Sequence, residues 1–235
     1  WRILLSMNEI GLKIIADYYG PWEEKFGIPR QAGLVQDVPG QVVLRSTVAT
    51  PEHVRGLEAF SHLWLLWVFS EHLDALATGG TVRPPRLHGN QRIGVFATRS
   101  SYRPNPIGMS VVSLEQVEIQ GAEIKLHVRG ADLMNKTPIV DIKPYIPYAD
   151  SYPHAKASHF QDRPPRLPVN WGAFYSVLED EVRAGIEASL ALDPRPAFHP
   201  VSERIYGMQY GAWNIRFQRL DTEILVVDVE VFRGE

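Results

Sequence analysis

The sequence contains no cysteine. Disulfides, thiolate metal sites and a cysteine nucleophile are therefore excluded, and the composition fits a cytosolic setting. None of its 18 glycines lies two positions from another. That removes the G-x-G core of dinucleotide fingerprints and of the glycine-rich cofactor loops of Rossmann folds. No G-K-S/T occurs, so a Walker-type phosphate loop is missing too. The eight histidines include no H-x-H or H-E-x-x-H pair, and a metal site has no local support. No apolar run approaches the roughly 18–20 residues of a membrane span. The longest candidate, Leu63 to Phe69, is strand-sized. The opening WRILLSMNEIG is too short and too poorly shaped for a signal peptide.

What remains is an ordinary globular composition: 235 residues, 45% hydrophobic and 22% charged, with a net charge of −3. The length suits one large domain, or a main domain with a smaller appendage. The charge is uneven. From Gly80 to Ser110 there are five arginines (Arg83, Arg86, Arg92, Arg99, Arg103) and no Asp or Glu. Charge alone does not separate a nucleic-acid patch from a solvated Arg/Pro-rich loop balanced by acids elsewhere.

Strand signals dominate the first 150 residues. QVVLRSTV (41–48), LWLLWVF (63–69), RIGVFAT (92–98) and TPIVDI (137–142) read as strands, the second buried on both faces. MSVVSLEQVEI (109–119) and EIKLHV (123–128), joined by Gln120-Gly121-Ala122, read as a hairpin. Thr50-Pro51 opens a short helix as N-cap and first helical residue, and Gly56 ends it. The pattern predicts a mainly β protein, an antiparallel β-barrel followed by a small α+β subdomain. The proline-rich QDRPPRLPVN (161–170) is the linker, dividing 1–160 from 161–235. Beyond it, Phe174, Val177, Leu178, Val182, Ile186 and Leu190 recur at helical spacing, and LDPRP stops the helix. AWNIRFQRL (212–220) and EILVVDVEVF (223–232) return as strands. His62, before a buried strand, reads as a hydrogen-bonded structural histidine, and its neighbour Ser61 cannot face it as a triad nucleophile would.

Long ordered motifs go beyond composition: EKFGIPRQAGL (24–34), GLEAFSHLWLLWVF (56–69), RIGVFATRSSYRPNPIGMS (92–110), DLMNKTPIVDIKPYIP (132–147) and LDPRPAF (192–198). With these the chain closely resembles the TrmO (YaeB-like) family of tRNA N6-methyltransferases, from about Ile10 to the end. The resemblance implies a β-barrel S-adenosylmethionine enzyme, dimeric, that methylates N6 of threonylcarbamoyladenosine beside the anticodon of a threonine tRNA. Holding the cofactor on a barrel agrees with the missing G-x-G. One departure is visible. Where the family often has Asp-Gly-Thr-Pro, this chain has Asn135-Lys136-Thr137-Pro138.

The resemblance assigns candidate roles. A methionyl carboxylate invites a guanidinium fork, for which Arg30 (in Pro29-Arg30-Gln31) and Arg99 are candidates. Asp132, Leu133, Met134 and Asn135 form a loop suited to the ribose or adenine edge. Ser70 and Glu71 follow the apolar strand, and Met109 can pack on the adenine. Each of these also has a structural reading as ion pair, turn, strand end or core residue.

Pro104 and Pro106 restrict Asn105, which can aim its carboxamide at an acceptor N–H, much as Asn/Asp-Pro motifs do in other amino-methylating enzymes. Asp141 is a candidate general base and Lys143 a candidate phosphate or carboxylate partner, unless the two merely pair with each other. Tyr102 and Arg103 suit a splayed anticodon-loop base, Arg83, Arg86 and Arg92 its backbone, and Arg195 an extension of that contact. The reading from another class is a noncatalytic S-adenosylmethionine- or RNA-binding module on the same barrel.

Overall fold

The structure, a computed structural model, describes residues 10–72, 80–84, 91–196 and 199–232. In chain order the strands are β1 (Ala16–Tyr19), β2 (Pro39–Leu44), β3 (His62–Val68), β4 (Thr81–Val82), β5 (Ile93–Gly94) and β6 (Ile107–Gln120). They continue as β7 (Glu123–Arg129), β8 (Thr137–Pro144), β9 (Val169–Asn170), β10 (Ile205–Tyr210), β11 (Trp213–Arg219) and β12 (Ile224–Val231). The first body is a closed barrel in the order β1-β2-β7-β6-β3-β8. Every neighbouring pair in it is antiparallel, so no sheet edge is left open. β4 and β5 form a separate two-stranded ribbon, and the C-terminal sheet runs β10-β11-β12-β9. The expected β-barrel with a small α+β unit after it is the observed architecture.

Inward residues alternate along each barrel strand and meet in one core, with Tyr18, Leu63, Leu65, Ile124, Leu126 and Ile139 fully enclosed. β3 is not buried on both faces as its unbroken apolar run suggests. Its burial alternates, and outward Trp64 is instead covered by the segment after β8. The Trp64 Nε1–H donates to Asp150 at 2.9 Å, and its ring lies 6.0 Å from that of Tyr145. Tyr18 fills its place only because Gly20 and Gly40 flank it. A Cβ on either would come within 2.4 Å of the phenol oxygen.

A second core joins the helix Asp180–Leu190 to the C-terminal sheet through Ile186, Leu190, Met208, Ile215 and Phe217. It also takes Trp22, Val35 and Val38 from the long loop between β1 and β2. That loop therefore belongs to both bodies. Arg129 on β7 reinforces the junction, donating to the Asp37 carbonyl at 2.8 Å and pairing with Glu115 and Glu181.

Three local expectations change. RIGVFAT forms a strand only at Ile93–Gly94; a 3-10 turn over Val95–Ala97 follows and leaves Phe96 78% exposed. The helix begins at Asp180, not near Phe174, whose own segment is a 3-10 turn. Asp180 and Glu181 in its first turn suit the positive end of the helix dipole. The strand near 41–48 runs only from Pro39 to Leu44. The short helix Pro51–Val54 does start behind Thr50 with Pro at its first position.

Candidate active site

One end of the barrel opens into a cleft of about 640 Å³. The end of β3 and the start of β6 form its floor, held in register by Trp67 opposite Gly108 and Val68 opposite Ile107. Gly108 is required there, because a Cβ would lie 2.4 Å from the Trp67 indole. The loop carrying Pro29-Arg30-Gln31 makes one wall, and the loop from Phe96 to Asn105 makes the facing one. The Phe69 N–H donates to the Pro106 carbonyl at 2.8 Å, tying the Pro-Asn-Pro segment to the strand end.

Of the residues singled out in the sequence, the cleft gathers Pro29, Arg30, Gln31, Ser70, Glu71 and Arg99. It also takes Arg103, Asn105, Met109, Asp132 and Met134. Arg99 donates to the Gln31 side-chain carbonyl across the mouth. Arg103 Nη1 reaches the Thr98 carbonyl at 3.4 Å. Met109 faces solvent in the cleft at 47% exposure, outside the barrel core.

Asp132 is the part-buried acid of the cleft. Trp67 Nε1–H donates to the Ser110 hydroxyl at 3.0 Å, and that hydroxyl in turn donates to the Asp132 carboxylate. The side chain is part-buried and lines the cleft. Burial pushes its pKa up to about 6, although the Ser110 hydrogen bond, nearby backbone N–H groups and the Arg99 charge pull the other way. Neither Ser110 nor Trp67 stood out in the sequence. The available signal was a serine at an inward position of a barrel strand, which needs a buried partner.

Other candidates lie elsewhere. Leu133 is fully buried in the barrel core. Asn135 is occupied in the structure: its Nδ2 donates to Glu23 at 2.8 Å and its Oδ1 accepts from the Gly20 N–H at 3.3 Å. The next residue, Lys136, holds φ +62, the left-handed conformation that glycine would adopt freely. The turn is thus kept despite the change from Asp-Gly.

Asp141 does not line the cleft; its carboxylate meets Lys143 Nζ at 2.7 Å and accepts from the Ile142 N–H. This is the mutual pairing that the sequence left open as the other reading of the two residues. Tyr102 is exposed on the loop next to Arg103. Arg83 and Arg92 are exposed just beyond the paired residues Val82 and Ile93 of the β4–β5 ribbon. Arg86 lies outside the described residues.

Arg195 is a correction. It is 7% exposed, gripped by both oxygens of Asp193 at 2.8 Å and bonded to the Pro200 carbonyl at 3.2 Å. A guanidinium so committed braces the C-terminal unit. His62 is hydrogen-bonded, as expected, but one partner is the neighbouring Ser61 hydroxyl, 2.9 Å from Nδ1, so Ser61 does face the ring despite its adjacency; the Ser113 hydroxyl lies 3.5 Å from Nε2. Among the described residues no group of three His, Asp or Glu side chains is arranged to hold a metal ion. No helix there is long and apolar enough to cross a membrane.

Residues 18–151 match the family described as the tRNA-methyltransferase O N-terminal domain, and residues 172–232 match the TrmO C-terminal domain. The chain belongs to the TrmO family. A relative from Escherichia coli K12, a tRNA (adenine(37)-N6)-methyltransferase, is 43% identical over 95% of this chain and 99% of its own. A putative S-adenosylmethionine-dependent methyltransferase, RcsF of Pseudomonas aeruginosa PAO1, is 42% identical over 79% of this chain and 82% of its own. The crystal structure of TrmO from Pseudomonas aeruginosa superposes with a TM-score of 0.77 at 31% identity, covering 96% of this chain and all of that one.

The cleft suits S-adenosylmethionine, the cofactor in the name of the RcsF relative. Its volume lies within the roughly 300–1,000 Å³ usual for small-ligand sites. Arg30 and Arg99 offer forks for a carboxylate, Asp132 an acceptor for ribose hydroxyls, and Met109 and Met134 apolar surface for a base.

Proposed function

We propose that this chain is an S-adenosylmethionine-dependent methyltransferase acting on N6 of adenine 37 of a tRNA. The observation that carries this is the single cleft uniting Arg99, Asp132 and Asn105 at the barrel end of a TrmO-family chain. The finer reading is that the acceptor is threonylcarbamoyladenosine in a threonine tRNA, and that the enzyme works as a cytoplasmic homodimer.

When bound, S-adenosylmethionine supplies an electrophilic methyl group. Arg30 and Arg99 hold its carboxylate end, with Gln31 fixing the Arg99 guanidinium, and Asp132 holds its ribose. The acceptor nitrogen carries an acyl substituent, so it is a weak nucleophile and a comparatively acidic one. Orientation matters most for such a pair, and near-attack geometry is worth roughly 7–11 kcal/mol. Asn105, stiffened by its two prolines, presents its carboxamide to the N6 hydrogen and aligns the lone pair. Asp141 is turned away, so the carboxylates available to take up the proton are those of the cleft, Asp132 and Glu71. Arg103, beside Asn105, and Tyr102 clamp the splayed base.

Nucleoside mass spectrometry of tRNA from a deletion strain, with and without the gene restored, tests this reading. Restoration of N6-methylated threonylcarbamoyladenosine is expected. Its absence in both strains, with S-adenosylmethionine still bound by the purified protein, would instead support a noncatalytic module.

A further inference from the structure

A second groove, of about 570 Å³, adjoins the cleft and shares Gln31, Phe96, Thr98 and Arg99 with it. Its far side comes from the segment between barrel and C-terminal unit, through Lys156, Phe160 and Arg163. That segment has a defined shape. A 3-10 turn spans Ser158–Phe160, and the Ala157 N–H donates to the Gln161 side chain at 2.8 Å. Lys156 and Arg163 are both exposed on either side of the turn.

The lining pairs two aromatic rings, Phe96 and Phe160, with three cations, Arg99, Lys156 and Arg163, against the one carboxylate of Asp162. Aromatic faces with cations alongside are the chemistry that holds an unstacked nucleotide, the ring taking the base and the cation the phosphate. A second copy of the chain is a poorer occupant, because a two-fold contact here would set this cationic patch against itself. The shared wall fixes the distance: whatever fills the groove lies next to whatever fills the cleft.

Resting on the tRNA reading, we infer that this groove holds the nucleotide neighbouring the methyl acceptor, with its base against Phe96 and Phe160 and its phosphates at Lys156 and Arg163. The linker then serves as the outer half of the RNA site. This gives the stretch from Lys156 to Arg163, just ahead of the prolines of the linker, a recognition role that the sequence did not suggest.

The test uses Phe160→Ala and the double variant Lys156→Ala/Arg163→Ala, assayed with tRNA from a deletion strain. Both are expected to raise the KM for tRNA about tenfold, with kcat and the calorimetric affinity for S-adenosylmethionine unchanged. The double variant should also flatten the salt dependence of tRNA binding by about 1.4 in log–log slope, the value for two single-strand phosphates no longer neutralised. Phe160→Tyr keeps the ring and is expected to restore the wild-type KM. An unchanged KM and slope would overturn the inference while leaving the methyltransferase reading intact. A change of sedimentation state with KM preserved would overturn it in favour of a subunit contact. Failure of the wild-type enzyme to methylate tRNA at all would remove both readings together.

Discussion

The Ser110 hydroxyl donates to the Asp132 carboxylate while itself accepting from the Trp67 indole. This short relay sets both the orientation and the proton affinity of the part-buried acid of the cleft. Ser110→Ala removes one of the groups that hold the Asp132 pKa down, so the value rises above its present level of about 6. A hydrogen bond to a charged group is worth about 1.5–3 kcal/mol. The acid limb of kcat/KM is therefore expected to move to higher pH by roughly one unit. A pH–rate profile of the two proteins checks this. An unmoved limb would detach Asp132 from the pH dependence.

Asp132 also gives stability an inverted pH dependence. Its pKa is raised from 3.8 to about 6 in the folded state, so between these values the native protein retains a proton that the unfolded chain has released. This group's contribution to stability accordingly falls as pH rises through that window, opposite to an ion-paired carboxylate. Asp132→Asn abolishes the effect. Urea midpoints should show the variant gaining on wild type from pH 4 to pH 7, by at most about 3 kcal/mol.

Arg99 is a cofactor residue in this account, held by Gln31 at the cleft mouth. Arg99→Ala is expected to weaken S-adenosylmethionine binding roughly 10- to 100-fold, the loss of a charge-assisted fork. Isothermal titration measures it directly. Lys143→Ala, outside the cleft, should leave that affinity unchanged.

Lys136 occupies a left-handed turn and Asn135 donates to Glu23. Lys136→Gly should stabilise the fold by about 0.5–1 kcal/mol by relieving the conformational cost. Asn135→Asp should do the reverse, because it sets a carboxylate against Glu23 and deletes a donor. Thermal unfolding of each variant separates the two effects. The pairing of Asn135 with Glu23 also explains why Asn, and not Asp, suits this chain.

Arg195 is a brace. Arg195→Ala leaves Asp193 with its weaker pairing to Arg219 at 3.5 Å and empties the face of Tyr206, and should cost about 1.5–3 kcal/mol of stability. At a temperature where the variant remains folded, its KM for tRNA should match wild type.

Much of the fold was legible because inward and outward residues alternate along its strands, most clearly in the β6–β7 hairpin of the barrel and in β11 and β12 of the C-terminal sheet. β1, only four residues long, and β10, interrupted by Gly207, carry too little pattern to be seen. β3 misled because its outward face is apolar as well, sheltered by Tyr145 and Asp150 from about 80 residues further on. The cleft residues were legible as motifs but not as a site. Nothing local shows that Pro29 and Asn105 line the same cleft, since that follows from β3–β6 register and loop docking. The relay from Trp67 through Ser110 to Asp132 is invisible for the same reason. Arg195 misled because its charge is plain in the sequence and its burial against Tyr206 is not.

The central claim is that methyl transfer to tRNA takes place in the barrel-end cleft. Its most direct test is transfer of labelled methyl from S-adenosylmethionine to deletion-strain tRNA by the purified protein and by Asn105→Ala, with the modified nucleoside identified. The account predicts label on N6 of adenine 37 with wild type. With Asn105→Ala it predicts kcat down at least about 100-fold and an unchanged affinity for S-adenosylmethionine. Equal turnover by the two proteins, or label on any other atom, would contradict it.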